Sequence, residues 1–573
     1  MMLAAAPLAA IALAAIWPSV AGLSTASSAP VEAQTNEPSV WLAEIGAAAA
    51  SAGSGTAPIA LLPLAMAPMG APDRPADLTA TLPIVRVSDR GWIGEPGDSL
   101  APNTPYAARL AEPPAIERNL PLYPDTSRRL ALTAGELRLV NGDGALDALA
   151  GDWSVAGRRV ILRRGPHRRP LHAPLTEFSQ VADLRAAGAA SGTTRLAVPL
   201  RPAAVELDVP VCGLYLGTGG LEGPSTLAGQ FKPRLYGLKR NVEPVLIDAG
   251  LLLYQLHDGP LQQVLAVRDK GVALTASGDV ASYAALSSAS VASGTYKTCL
   301  AAGLLRVGAT PSLLTADARG DNDASTGGYN TGSAASIAQK LLRGPGGIAA
   351  ASGANFAWPV GEYGLWLRGG TVGEAMEALA AGVFGWWGTS TAGVYQGGQL
   401  AAPEDQAPSL TIEPWMLAAP PEEIGPLRAP WWRARVGYQA LGRTQEADQL
   451  AGAVTATERT YWGQAWRSAV SANTAISAAY PRAEDGPELL AGFDLQADAQ
   501  SLADRLLAIF GKPRRLFLAR LRAGAAGYCW PTCQLGACVA LRWPQHRALA
   551  TGRPLIVQGV SARGDATTLT LWG

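Results

Sequence analysis

Lysine and histidine are scarce in this 573-residue chain, with six lysines and four histidines, His167, His172, His257 and His546. Charged residues make up 16% of it, and acids and bases balance at 46 each, so the formal net charge is zero. Proteins that bind nucleic acid carry a basic excess to neutralise phosphates. Disordered acidic or basic chains carry a large charge of one sign. The zero balance argues against both classes. Five cysteines in a chain of this length exclude a disulfide-dense scaffold. HExxH, GxxxxGK[ST] and GxSxG are all missing, so zincins, P-loop NTPases and α/β-hydrolases lose their local signatures. The skew of arginine over lysine reads as a GC-rich genome, not as chemistry.

Turn formers are abundant, with 64 glycines and 43 prolines. They lack the period of collagen and stay below the low-complexity range of roughly 25–30%. Such richness suits turn-dense β structure. At about 100–200 residues per domain, the length predicts two to four domains.

The first 36 residues form an apolar segment. Met1–Val31 has no charged residue, and the first basic residue of the chain is Arg74. Leu3–Trp17 resembles the apolar region of a signal peptide, but it lacks the basic n-region and contains Pro7. Three readings stand: an apolar arm packed against other subunits, a signal peptide, or a segment contacting membrane. Residues 37–127 read as a Pro-rich extended arm. Trp41–Ser51 suggests a short helix, with Pro38 near its start. In Pro58–Pro68 a proline every five residues forbids a helix, because each ring removes a donor and clashes with the preceding turn.

From Leu130 the texture changes. Leu130–Val140, Trp153–Arg163, Thr194–Val209, Val245–Tyr254 and Leu261–Arg268 carry β-type alternation between Gly, Asp and Pro turns. Residues 128–310 therefore read as mostly β, closed or nearly so. Residues 311–430 read as a small α/β insert. It holds a predicted helix over Ser333–Arg343 and another over Thr371–Ala381, opened by the capping box Thr371-Val-Gly-Glu374. Residues 431–573 return to β, with one long helix over Leu495–Ile509 and strands over Arg514–Arg522, Ala537–Leu541, Leu555–Val560 and Thr567–Trp572. The last strand is expected to pair inside a sheet, since an apolar edge left open is sticky.

Four constellations are candidates for chemistry. Asp317, Asp321 and Asp323 cluster in TADARGDND; they would serve as a metal site or carboxylate pair, or as a solvated acidic turn, which is the expectation. Gly217-Thr-Gly-Gly220 lacks the following helix that a phosphate cradle needs. Cys529, Cys533 and Cys538, spaced C-x3-C-x4-C, fit zinc or an iron–sulfur cluster only with a distant fourth ligand such as Cys212, Cys299 or His546. Buried free thiols or a disulfide are the alternatives, and no metal or cofactor is expected. The doublets Trp386-Trp387 and Trp431-Trp432, in a chain with 16 tryptophans against seven phenylalanines, suit a carbohydrate platform or, as expected here, interface anchors.

One resemblance spans about 128–573. The stretches Tyr215-Leu-Gly-Thr-Gly-Gly-Leu-Glu-Gly223, Leu227-Ala-Gly-Gln-Phe-Lys-Pro-Arg-Leu-Tyr-Gly237, Asn241-Val-Glu-Pro-Val-Leu-Ile-Asp248 and Leu253-Tyr-Gln-Leu-His-Asp-Gly259 resemble the baseplate-hub tail proteins of long-tailed, non-contractile phages and prophages. So do Gly294-Thr-Tyr-Lys-Thr298, Pro311–Asp317 with Gly320-Asp321, and the terminal Thr570-Leu-Trp-Gly573, all in the same order. The resemblance implies two tube-type β-barrel domains per chain, with smaller inserted domains and a long N-terminal arm. It implies a homotrimer whose six barrels join the sixfold tail tube to a threefold tip. Implied partners are the distal tail protein ring, the tape-measure protein and other tail-tip or fibre proteins, with genomic DNA passing transiently. The implied place is the virion tail tip, assembled in the host cytoplasm, with membrane contact open to the N-terminal segment. No catalytic residue comes with it, so no enzyme is expected. Two other classes remain as alternatives: a tail-tip-borne envelope hydrolase using Asp317 and Asp321, and a secreted glycan-binding β protein using the Trp doublets.

Overall fold

Ser39–Ile45 is a strand, not the helix expected there, and its residues show why. Val40 and Leu42 enter one apolar core, and Ala43 and Ile45 enter another. Successive side chains of a strand point to opposite faces, so a strand buried on both faces reads as a continuous apolar run that mimics a helix. Pairing on both edges decides the matter, with Val85–Ser88 antiparallel on one side and Arg159–Pro166 antiparallel on the other. The computed structural model describes residues 39–45, 84–150, 155–166, 172–203, 207–329, 332–348, 354–425, 428–529 and 532–573. The apolar segment 1–36 and the Pro58–Pro68 stretch lie outside the described residues. The molecule is mainly β, in several sheets.

The first and last parts of the chain meet in one core. An eleven-stranded sheet is built from strands between Ser39 and Pro202, and an eight-stranded sheet mostly from strands between Thr411 and Trp572. Leu137, Leu139, Val160, Leu162 and Leu184 from the first share a core with Phe517, Leu541, Val557 and Leu571 from the second. Within the stretch read as an extended arm, residues 84–127 supply five short strands. One of them, Ile116–Asn119, pairs with both Arg553–Arg563 and Ala131–Ala134. Arg164 joins the two sheets again by donating to the Thr567 hydroxyl at 2.8 Å and the Asp565 carbonyl at 3.0 Å. The terminal strand Ala566–Trp572 pairs between Leu516–Leu521 and Arg553–Arg563, as its apolar character requires.

Residues 234–320, joined by the strand Gly364–Leu367, form two further five-stranded sheets around a shared core of Leu235, Val242, Leu256, Val267, Tyr296, Leu305 and Ala316. The strand Arg234–Val242 pairs in the first sheet, and Val245–Asp248 carries the chain into the second. Gly237 lies within the first of these strands, where the Tyr363 backbone comes close. It sits at φ 63°, and a Cβ there would lie 1.8 Å from the Tyr363 carbonyl oxygen, so only glycine fits.

The three expected helices are present at Ala334–Arg343, Val372–Gly382 and Gln496–Phe510. Thr371 and Glu374 close the capping box, with the carboxylate accepting from the Thr371 amide at 2.9 Å. Leu341, Met376, Leu379, Leu502 and Leu506 meet in one core with Trp387, Trp431 and Phe510. The α/β insert and the long helix thus share an interior. Among the described residues no helix is long and apolar enough to cross a membrane.

Candidate functional site

Asp317 lies on the strand Leu314–Gly320 and is 2% exposed. Its carboxylate accepts from Arg268 at 2.9 and 2.8 Å through both oxygens, and from the Asn241 amide at 2.8 Å. Arg240 stands 3.5 Å away and turns its own fork onto Asp494 at 2.7 and 2.8 Å. Arg268 also lies over the Trp462 ring. The Asn241 side-chain amide donates to the Arg443 carbonyl at 2.6 Å, and Arg443 pairs with Glu243. These contacts tie the β unit at 234–320 to the 441–494 segment.

Asp321 follows the same strand at φ 49° and is also 2% exposed. It accepts from the Lys340 ammonium at 2.7 Å and faces Nε2 of His257 at 3.6 Å. The Leu235 amide donates to Nδ1 of His257 at 2.9 Å, so the ring hydrogen sits on Nε2, toward the carboxylate. Burial pulls the His257 pKa below its ordinary value and keeps the ring neutral. Burial alone would raise Asp321, but the facing His257 N–H and the Lys340 ammonium outweigh it and hold the carboxyl low. Asp323 behaves as a turn residue and caps a short 3-10 helix through the Ser325 amide at 2.9 Å.

The solvated acidic turn expected for this cluster is therefore corrected at two of its three positions. Asp317 and Asp321 are interior ion-pair residues. An acid–base pair needs a proton that is free to move, and a metal site needs open carboxylate oxygens. Here the Asp317 oxygens are taken up by arginine and backbone donors, and Asp321 is paired with Lys340 and faces His257. The partners Arg268, Arg240, Asp494, His257 and Lys340 carried no local signal, because each lies far away in sequence. Lys340 lies inside the helix expected over Ser333–Arg343.

The cysteines separate. Cys529 and Cys533 share a core, while Cys538 belongs to another and faces the Pro403 carbonyl at 3.7 Å. Alternation along the strand Cys538–Leu541 sends Val539 and Leu541 to the core of Cys529 and Cys533, and Cys538 to the opposite face. The Cys533 sulfur beside it, together with burial, pushes the Cys529 thiol up. Cys212 and Cys299 are buried and free as well. Among the described residues no group of three or more His, Cys, Asp or Glu is placed to hold a metal.

Both Trp doublets send one ring inward. Trp387 is 1% exposed and donates to Glu377 at 3.0 Å. Trp431 packs on Phe510 with ring centroids 4.2 Å apart. Trp432 lies beneath the Arg433 guanidinium. Two rings of the four are thus spent on the interior, which removes them from a sugar platform. Gly217–Gly220 leads into a 3-10 helix of three residues, and Glu222 accepts from the Leu216 amide and from Lys232.

The site and fold define a mainly β protein whose conspicuous acids are structural. No family model matches the chain, and no curated protein matches it. Among solved structures it is similar to the prophage MuSo2 43 kDa tail protein from Shewanella oneidensis, at 9% identity and a TM-score of 0.35, over 82% of this chain and 94% of that one. It is also similar to the tail protein from Neisseria meningitidis MC58, at 11% identity and a TM-score of 0.36, over 80% of this chain and 91% of that one.

Proposed function

We propose that this chain is a structural protein of a phage tail or tail-like particle, and that it forms the central hub of the tail tip. The observation that carries the reading is the ordered series of motifs from Tyr215 to Asp321, continued at Thr570–Gly573. Two further features support it. The acids that a hydrolase would need are held in ion pairs, and the β architecture suits a mechanical part. As a homotrimer, the hub would join the sixfold tail tube to the threefold tip. It would hold the distal tail ring, the tape-measure protein and fibre proteins, and open for DNA when a receptor is engaged. The N-terminal segment would pack along neighbouring subunits or reach the membrane.

Labelling purified particles with gold-tagged antibody against residues 128–573 tests the placement. Label confined to the tail end away from the head is the expected result. Label along the whole tube, on the head, or on no particle overturns it.

A further inference from the structure

Arg118 is 6% exposed, and among the described residues its charge has no carboxylate partner. It sits on the strand Ile116–Asn119, held between Leu132 and Val560 in register. Its one hydrogen bond among the described residues runs from Nη2 to the Thr389 carbonyl at 2.8 Å. A guanidinium carries five N–H donors in a fixed fork, so most of its donor capacity is unspent. Elsewhere in the molecule Arg268 has Asp317, Arg159 has Asp183 and Arg514 has Glu404. Burial with nothing to offset it pulls Arg118 down to about 10.

Arg118 lines a cleft of about 210 Å³ together with Arg129, Leu130, Leu132, Pro202 and Thr389. That volume far exceeds the ~10–15 Å³ needed to admit a single water. Arg129 brings a second cation, with its guanidinium over the Trp387 ring and no carboxylate paired to it among the described residues. Two arginines therefore converge on a cleft whose remaining walls are mostly apolar and supply no negative charge. Apolar walls lower the local dielectric and strengthen any anion–cation contact made inside. A planar fork with free donors matches the oxygens of a carboxylate or phosphate.

We propose that this cleft is a binding site for a small oxyanion, a carboxylate or phosphate group, with Arg118 as the principal ligand and Arg129 at its side. The site lies between the eight-stranded sheet and the strand Gly385–Thr389, so an anion there would brace two parts of the fold. This inference does not depend on the hub reading.

Calorimetric titration of the purified protein at constant ionic strength tests it, with inorganic phosphate and acetate as separate probes and chloride as the balancing salt. Saturable binding of one anion per chain at about millimolar strength is expected. Saturation by phosphate alone assigns the site to a phosphoryl group, and saturation by acetate alone assigns it to a carboxylate. Arg118→Gln should weaken binding about tenfold or more, and Arg118→Lys should retain part of it. Should Arg118→Gln fail to fold, Arg129→Gln decides, with a loss of severalfold expected. Absence of saturable binding by either probe, or binding unchanged in the variant that folds, overturns the proposal.

Discussion

Arg268 grips Asp317 through both guanidinium ends at 2.9 and 2.8 Å, across two neighbouring strands of one sheet. The carboxylate also neutralises Arg240, which reaches on to Asp494. Removing it strips the half-buried Arg268 of this partner and leaves the Asn241 backbone N–H without its acceptor, while Arg240 keeps Asp494.

Asp317→Ala should therefore cost stability, by roughly 3–5 kcal/mol, the range for breaking a buried pair from one side. Denaturant unfolding of the purified variant measures this. A loss near the ~0.5 kcal/mol of an ordinary surface substitution would contradict the buried pairing.

Acid should weaken the fold through Glu404. Burial alone would raise its pKa, but hydrogen bonds from Arg514 and Lys512 outweigh that and hold it at about 2, against an ordinary 4.5. A carboxyl depressed in the folded state contributes stability that is fully present above its unfolded pKa. That contribution is lost as pH falls through the folded value. Wild type and Glu404→Gln should thus differ in unfolding free energy above pH 4.5 and converge toward pH 2. Parallel curves across that window would contradict the assignment.

Close backbone approach should make Gly364 irreplaceable. A Cβ there would lie 1.7 Å from the Leu238 carbonyl oxygen on the paired strand. Gly364→Ala should cost at least the ~1–3 kcal/mol of an overpacked interior. Gly97→Ala, where a Cβ meets nothing within 4 Å, should stay within about 0.5 kcal/mol. Thermal unfolding of the two variants side by side checks the contrast; equal midpoints would refute it.

The cysteines should hold no stoichiometric metal, because Cys538 faces a different core from Cys529 and Cys533. Elemental analysis of purified protein is expected to find no iron or zinc near one per chain. Metal at that level, lost in Cys533→Ser, would reverse this.

Local chemistry was the legible part of the fold. Thr371 and Glu374 announced a helix start, and Ala566–Trp572 announced a strand with partners on both sides. Each of those signals lies within a few residues. Ser39–Ile45 misled because burial on both faces erased its alternation. The joining of residues 39–203 to 411–573 in one core was invisible, since sequence distance hides which apolar faces meet. The same holds for the acids. Asp317 and Asp321 stood out as a cluster, but their fate was set by Arg268, Lys340 and His257, which only folding brings near.

Copy number at the tail tip tests the hub proposal most directly. A symmetry-free electron cryomicroscopy reconstruction of purified particles, with this chain placed in density, counts it. Three copies around a threefold axis below the sixfold tube are the predicted result. Six copies, a single copy, or absence from the particle would contradict it.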